Sequence, residues 1–257
     1  MRLYCAGPIF THDQRDWLRR VGERLRAEGH DAFVPAEVEE EFHDTAKPMK
    51  VAERAAVFEA NVAKLTAAQL VVACLDGADA DAGTAWEVGF AHARRIPVLG
   101  YRFDYRSAGR EGPVNLMLER ACSQFLWAPS ATPQAMLDRL AEAVAEPLFA
   151  PGGKLVRHRI PEVVAQQGRR ATTRRAKGDQ LEAMLRLKVI EEAGELLAAF
   201  EEDEIAQEIA DIVEAALACA RANGVEKRVE EVRAERAARL GVFDKGVVLE
   251  GLDAREA

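Results

Sequence analysis

Leu70-Val71-Val72-Ala73-Cys74-Leu75 is followed, across a short acidic stretch, by Asp81-Ala82-Gly83-Thr84-Ala85-Trp86-Glu87-Val88-Gly89, and then by Ile96-Pro97-Val98-Leu99-Gly100-Tyr101. An apolar run of strand length, a loop, a helical pattern over 83–95 and a second apolar run make one strand–helix–strand unit. A strand that ends in such a loop and opens a helix is where open α/β sheets place ligand chemistry. Here the loop offers Asp81 and the first helical turns offer Glu87, two carboxylates beside one crevice. Paired carboxylates are what the chemistry of a glycosidic bond requires.

The same alternation extends outward. Residues 2–5 read as a strand, followed by the turn Ala6-Gly7-Pro8. Trp17, Val21 and Leu25 form a helical stripe that stops at Gly29. Residues 31–34 read as a second strand, 57–65 continue a helix, and 124–127 form a fifth strand. Strands that alternate with helices imply a mainly parallel sheet covered on both faces, a doubly wound α/β domain of the flavodoxin or Rossmann kind. Pro147 and Ala150-Pro151-Gly152-Gly153 then mark a boundary. Beyond it the pattern is helical over about 179–200, 203–223 and 225–240. The chain therefore divides into an α/β unit, 1–149, and an all-α helical bundle, 150–257.

A length of 257 residues suits two domains, and 49% hydrophobic with 30% charged residues describes an ordinary soluble protein. The formal charge of −8 argues against a nucleic-acid surface and against electrostatic membrane docking. Cys5, Cys74, Cys122 and Cys219 are scattered, with no C-x-x-C pair, and read as reduced thiols. With no signal-peptide pattern and no apolar run of spanning length, the expected location is cytoplasmic. His12, His30, His43, His92 and His158 show no metal-ligand spacing and receive no role.

Tyr4-Cys5-Ala6-Gly7-Pro8-Ile9-Phe10, Gly83-Thr84-Ala85-Trp86-Glu87-Val88-Gly89 and Asn115-Leu116-Met117 together resemble the nucleoside 2-deoxyribosyltransferases, over roughly the first 145 residues. The resemblance implies that Glu87 is the nucleophile, that Tyr4 positions it and that Asp81 binds the sugar hydroxyls. It further implies substrate contacts from Gly7, Pro8, Phe10, Gly83 and Asn115, the last reaching a neighbouring subunit's site. The chemistry is consistent, because a 2-deoxyribosyl centre readily develops positive charge that a carboxylate captures with inversion. A second inversion by water or another base then gives net retention. Taken alone, Glu87 is equally explained as an acid favoured near a helix N-terminus. Where the resemblance places a further catalytic aspartate this chain has Asn61, and Gln69 stands at the start of the third strand where an aspartate is frequent. An amide hydrogen-bonds but carries no proton, and leaving-group protonation is a step worth roughly 10²–10⁴-fold. Asp81 would repel a phosphate, which favours an unphosphorylated sugar end.

A second constellation lies in the helical half. Glu191-Glu192-Ala193-Gly194-Glu195 precedes Glu208-Ile209-Ala210-Asp211, so Glu192 with Glu195, and Glu208 with Asp211, share helix faces. Leu185, Val189, Leu196 and Ala199 line the first face, and Ile205, Ile212 and Ala215 the second. Carboxylates converging there are costly to bury unless a cation such as Mg²⁺ joins them. The pattern resembles the all-α nucleoside triphosphate pyrophosphohydrolases of the MazG and phosphoribosyl-ATP pyrophosphohydrolase group. That resemblance implies Glu192, Glu195, Glu208 and Asp211 as Mg²⁺ ligands, Glu191 as a base behind them, and phosphate contacts from Lys154, Arg157, Arg239 and Lys245. It also implies a homodimer or homotetramer, as does the N-terminal resemblance. The expected function is thus bifunctional: a triphosphate cleaved to monophosphate and pyrophosphate, and an N-glycosidic bond cleaved or exchanged. The rival reading is a pyrophosphohydrolase whose N-terminal domain senses a nucleoside without cutting it, as Asn61 suggests.

Overall fold

In this computed structural model, residues 1–39 and 50–251 are described; His43 lies outside them. Strands β1 (Arg2–Ala6), β2 (Asp31–Phe33), β3 (Leu70–Cys74), β4 (Val98–Arg102) and β5 (Gln124–Trp127) form a parallel sheet. Their order is β2-β1-β3-β4-β5, and every neighbouring pair is parallel. This is the doubly wound arrangement, with its switch point between β1 and β3. Helices α1 (His12–Ala27), α2 (Pro35–Glu39), α3 (Val51–Thr66), α4 (Ala82–Ala93), α5 (Leu116–Ala121) and α6 (Pro133–Ala145) surround it. Past Trp127 the described residues hold only helices: α6, then α7 (Ile160–Gln166), α8 (Asp179–Ala198), α9 (Glu202–Ala222) and α10 (Glu226–Leu240), and the 3-10 turn Phe243–Lys245.

Strand residues alternate between two cores, as the pleat requires. Leu3, Cys5, Val72, Cys74, Leu99 and Tyr101 face α1 and α6, where Leu18, Val21, Leu25, Met136 and Leu140 meet them. Tyr4, Ala6, Val71, Ala73 and Val98 face the opposite way, against Leu65 of α3 and Val88 and Ala91 of α4. This parity puts Tyr4 directly beneath the helix that carries Glu87. Burial pushes the thiols of Cys5, Cys74 and Cys122 up to about 12. No helix among the described residues is long and apolar enough to cross a membrane.

Two departures from the expected boundaries have local causes. The fourth strand begins at Val98 rather than Ile96 because α4 ends in a Schellman closure. Arg95 takes a left-handed φ of 63°, and the Ile96 amide donates back to the Ala91 carbonyl. The short helices α2, α5 and α7, and the longer α6, carry sequence signals that the strand–helix reading passed over. For α6 the signal is plain: Thr132 caps it, Pro133 opens it, and Met136, Leu137, Leu140 and Val144 are buried.

Gly100 shows how tightly β4 is packed. A Cβ there would stand 2.6 Å from Cys122 Sγ and 3.0 Å from Phe125 Cδ2. Gly100→Ala is expected to destabilise the α/β unit by about 1–3 kcal/mol, read as a lowered denaturant midpoint at unchanged slope. An unchanged midpoint would mean that this core yields without cost.

The loop after β3 is held from below. Arg102, 1% exposed, donates to the carbonyls of Leu75, Gly77 (2.7 Å) and Arg106 (3.3 Å), with Asp104 at 3.9 Å. Gly77 turns at φ 118°, where a Cβ would meet the Asp79 carbonyl oxygen at 2.7 Å. In the helical half, α8 and α9 lie along each other, and Leu185, Glu192, Ala198, Ala215 and Ala220 are the side chains buried there, whereas α10 buries none. Arg95 ties the halves together by donating to the carbonyls of Pro151 (2.8 Å) and Gly153 (2.6 Å).

Candidate functional site

The Tyr4 hydroxyl donates to Glu87 Oε1 at 2.5 Å. Tyr4 is fully buried on β1, so its ring is fixed and its hydroxyl holds the carboxylate of a half-buried glutamate on α4. Above this pair opens a cavity of about 300 Å³ lined by Tyr4, Phe58, Asn61, Val62, Leu65, Gly83, Trp86 and Glu87. Phe58, Asn61, Val62 and Leu65 recur at helical spacing on one face of α3. Phe58 and Trp86 stand with ring centroids 5.9 Å apart and are exposed despite their size, and Trp86 stacks on Phe90 at 5.3 Å. Asn61 Oδ1 is buried and has no hydrogen-bond partner. Glu87 is the only carboxylate among the described residues lining the cavity.

Asp81 lies at the rim of this cavity and does not line it. It is the N-cap of α4: its Oδ2 accepts from the Thr84 amide (2.8 Å) and the Thr84 hydroxyl (3.0 Å). The same oxygen stands 3.0 Å from where a Cβ on Gly83 would be, so Gly83 keeps the rim open. Gly7 is a packing residue here, since a Cβ would collide with Leu18 Cδ2 at 2.8 Å. Pro8 lines a separate cavity of about 220 Å³ with Asp13, Trp17 and Asp76, at the strand ends on the α1 side. Phe10 is exposed, and Asn115 is exposed and caps α5 by accepting from the Met117 amide. Within this chain, then, Tyr4, Asn61, Gly83 and Glu87 come together; Gly7, Pro8, Phe10 and Asn115 are not among the residues lining that cavity. Phe58 and Trp86 were missed in sequence, although the i, i+3 spacing from Phe58 to Asn61 was there to be read.

In the helical half, Glu192, Glu208 and Asp211 each place one carboxylate oxygen within 4.8 Å of the others. Glu192 is 4% exposed, and Glu208 Oε2 is buried without a hydrogen-bond partner. Burial first, then the charges of Glu195, Glu192 and Asp211, push the Glu208 carboxyl above its ordinary range. An oxygen-only donor set with an orphaned buried oxygen fits a hard divalent cation. Two side-chain cations stand against the group: Lys188 Nζ lies 2.6 Å from Glu192 Oε1, and Arg157 pairs with Asp211. Lys188 carried no role in the sequence reading, though it sits one turn before Glu192.

Glu195 stands outside this trio, exposed, with Lys154 Nζ at 3.5 Å. Glu191 is half-buried beside two lysines. It bridges Lys154 (2.8 Å) and Lys188 (2.7 Å), and those ammonium groups hold its carboxyl low against the opposing effect of burial. Arg157, Lys188, Glu192 and Asp211 line a cavity of about 520 Å³. Lys154, Glu191 and Glu195 line another, of about 260 Å³, between the two halves. Arg239 and Lys245 sit on exposed surface of α10 and the 3-10 turn after it, away from these cavities.

The family profile described as nucleoside 2-deoxyribosyltransferase matches residues 3–117. The N-terminal unit is therefore nucleoside 2-deoxyribosyltransferase-like, and the match does not reach the helical half. No curated protein matches the chain significantly. Among solved structures, a 2-deoxyribosyltransferase from Bacillus psychrosaccharolyticus is 20% identical with a TM-score of 0.45, covering 58% of this chain and 98% of its own. A 2-desoxiribosyltransferase from Leishmania mexicana is 21% identical at 0.38, covering 55% and 96%. A CMP N-glycosidase from Clostridium botulinum is 13% identical at 0.37, covering 56% and 99%.

Proposed function

We propose that the N-terminal unit cleaves or exchanges the N-glycosidic bond of a nucleoside or deoxynucleoside, with Glu87 as nucleophile. The observation that carries this reading is the Tyr4–Glu87 hydrogen bond at the floor of an aromatic-walled cavity. Tyr4 orients the carboxylate through Oε1, and the carboxylate attacks the anomeric carbon. Trp86 and Phe58 offer flat apolar faces to a base. Asp81, held by Thr84 at the rim, offers its remaining oxygen to sugar hydroxyls. Water or a second base then displaces the glycosyl group from Glu87.

For the helical unit the reading is hydrolysis of a nucleoside triphosphate to monophosphate and pyrophosphate. Glu192, Glu208 and Asp211 would hold Mg²⁺, with Glu195 on the same helix as Glu192. Bound there, Mg²⁺ supplies charge neutralisation for the phosphates and a coordinated water of lowered pKa. Lys154 and Arg157, now paired with carboxylates, are placed to turn to phosphate oxygens instead. Glu191 is the base behind them, steadied by two lysines.

Chromatography of ribo- and deoxynucleosides, monophosphates and triphosphates after incubation with the chain and Mg²⁺ tests both. Free base from any member supports the N-glycosidic reading, and monophosphate with pyrophosphate supports the second. Calorimetric binding of a nucleoside that is never consumed would replace the first with the sensing reading that Asn61 favours.

The Glu208 carboxyl gives a pH prediction. Its proton is held more tightly in the folded chain than in the unfolded one. Stability from this group is therefore present below the ordinary carboxylate range and is lost as pH rises through the raised one. The Tm gain on adding Mg²⁺ is expected to be small at the acid end and to grow across that window. At a hundredfold excess over Kd it corresponds to about 2.7 kcal/mol. A gain independent of pH would remove Glu208 from the metal set.

A further inference from the structure

Asn61 is the least explained side chain in the N-terminal cavity. It occupies an apolar wall beside Val62 and Leu65, and its carbonyl oxygen is buried with no partner. Apart from the indole N–H of Trp86, the other polar groups that the described lining offers are Tyr4 and Glu87, and these hydrogen-bond to each other. The Asn61 amide and the Trp86 indole donate hydrogen bonds but transfer no proton, so among the described lining only Tyr4 could act as an acid on a departing base, and its hydroxyl already donates to the nucleophile. A neutral purine or pyrimidine leaves poorly without such a proton. A base that already carries positive charge needs none.

Resting on the N-glycosidic reading of this cavity, the geometry points to a substrate class: nucleosides whose base is a cationic heteroaromatic ring, such as an N7-alkylated purine or an N-glycosyl pyridinium. The exposed faces of Trp86 and Phe58 attract a cationic ring, and the wall beside them holds the amide of Asn61, whose buried oxygen has no partner. Glu87 forms a bond to the anomeric carbon as the carbon–nitrogen bond breaks. That electron pair returns to the ring nitrogen and cancels its charge, so the base leaves neutral without a proton. Water then attacks the anomeric carbon, the ester bond returns its pair to the Glu87 carboxylate, and one proton passes to solvent. The sum is cationic nucleoside plus water giving neutral base, free sugar and a proton.

The test compares the full chain acting on 2′-deoxyguanosine, its N7-methyl derivative and an N-(2-deoxyribosyl)pyridinium, each expressed as acceleration over its own uncatalysed rate. The acceleration is expected to be on the order of 10²–10⁴-fold larger for the cationic compounds, and the two cationic arms say which ring the walls prefer. Asn61→Asp, nearly isosteric, places a carboxyl in an apolar wall where burial keeps it protonated. It is expected to shrink the cationic-to-neutral ratio by a similar factor. It should also turn a pH profile with one rising limb into a bell on the neutral substrate. Equal acceleration of neutral and cationic nucleosides by the unaltered chain would overturn the inference and leave the N-glycosidic reading standing. Cleavage of none of the three by either protein would overturn that reading and the inference with it.

Discussion

Replacing Glu87 with alanine is expected to reduce base release by on the order of 10⁴-fold or more in kcat/KM, because no other described residue of the cavity can form the glycosyl intermediate. The loss should appear in single-turnover release of free base and should leave triphosphate hydrolysis by the other unit untouched. Glu87→Gln is the sharper variant. It keeps an oxygen to accept from the Tyr4 hydroxyl, so the buried tyrosine retains that contact, yet the amide is no nucleophile. Equal inactivity of the two, with the glutamine variant melting like the unaltered chain, separates chemistry from packing. Base release at the unaltered rate in either variant would end the proposal for this cavity.

Glu208→Gln should act in opposite directions on stability and on activity. In the metal-free chain it relieves the repulsion among Glu192, Glu208 and Asp211 and makes a buried charge neutral, so Tm should rise. In the presence of Mg²⁺ the order reverses, because the variant has lost a ligand and gains little from the ion. Pyrophosphate release should fall by about 10²-fold or more, since a bound metal supplies several kcal/mol of charge stabilisation. Calorimetric melting with and without Mg²⁺, beside a pyrophosphate assay, reads all three changes. A variant that still gains Tm from Mg²⁺ as the unaltered chain does would show that the trio is an acidic patch and not a metal centre.

Much of the N-terminal unit was legible because its signals are short-range. Five apolar runs of strand length separated by helical patterns admit few arrangements, and the β5 boundaries at Gln124 and Trp127 coincide with those read from sequence. The α4 stretch was equally plain, with Asp81 three residues before Thr84 and thus placed to cap. What sequence could not supply was which groups end up facing one another. Asp81 and Glu87 look like a pair on paper, but capping commits one carboxylate oxygen to Thr84, and the residue that shares the cavity with Glu87 is Asn61, from a different helix. The acidic helices show the same limit. Spacing put Glu192 and Glu195 on one face, yet Glu195 meets Lys154 whereas Glu192 joins Glu208 and Asp211. Lys188 and Trp86, adjacent to predicted residues, were passed over because charge runs and aromatic residues have common bland explanations.

The buried guanidinium of Arg102 bears on what ligand binding must accomplish. Because it grips the carbonyls of Leu75 and Gly77 from inside the sheet, the start of the loop that leads to Asp81 is set by the fold itself. A loop that had to be ordered by its ligand would spend conformational entropy at the moment of association. For the start of this loop that cost is met once, during folding, so less of the contact energy of a small ligand at the rim goes into ordering the chain.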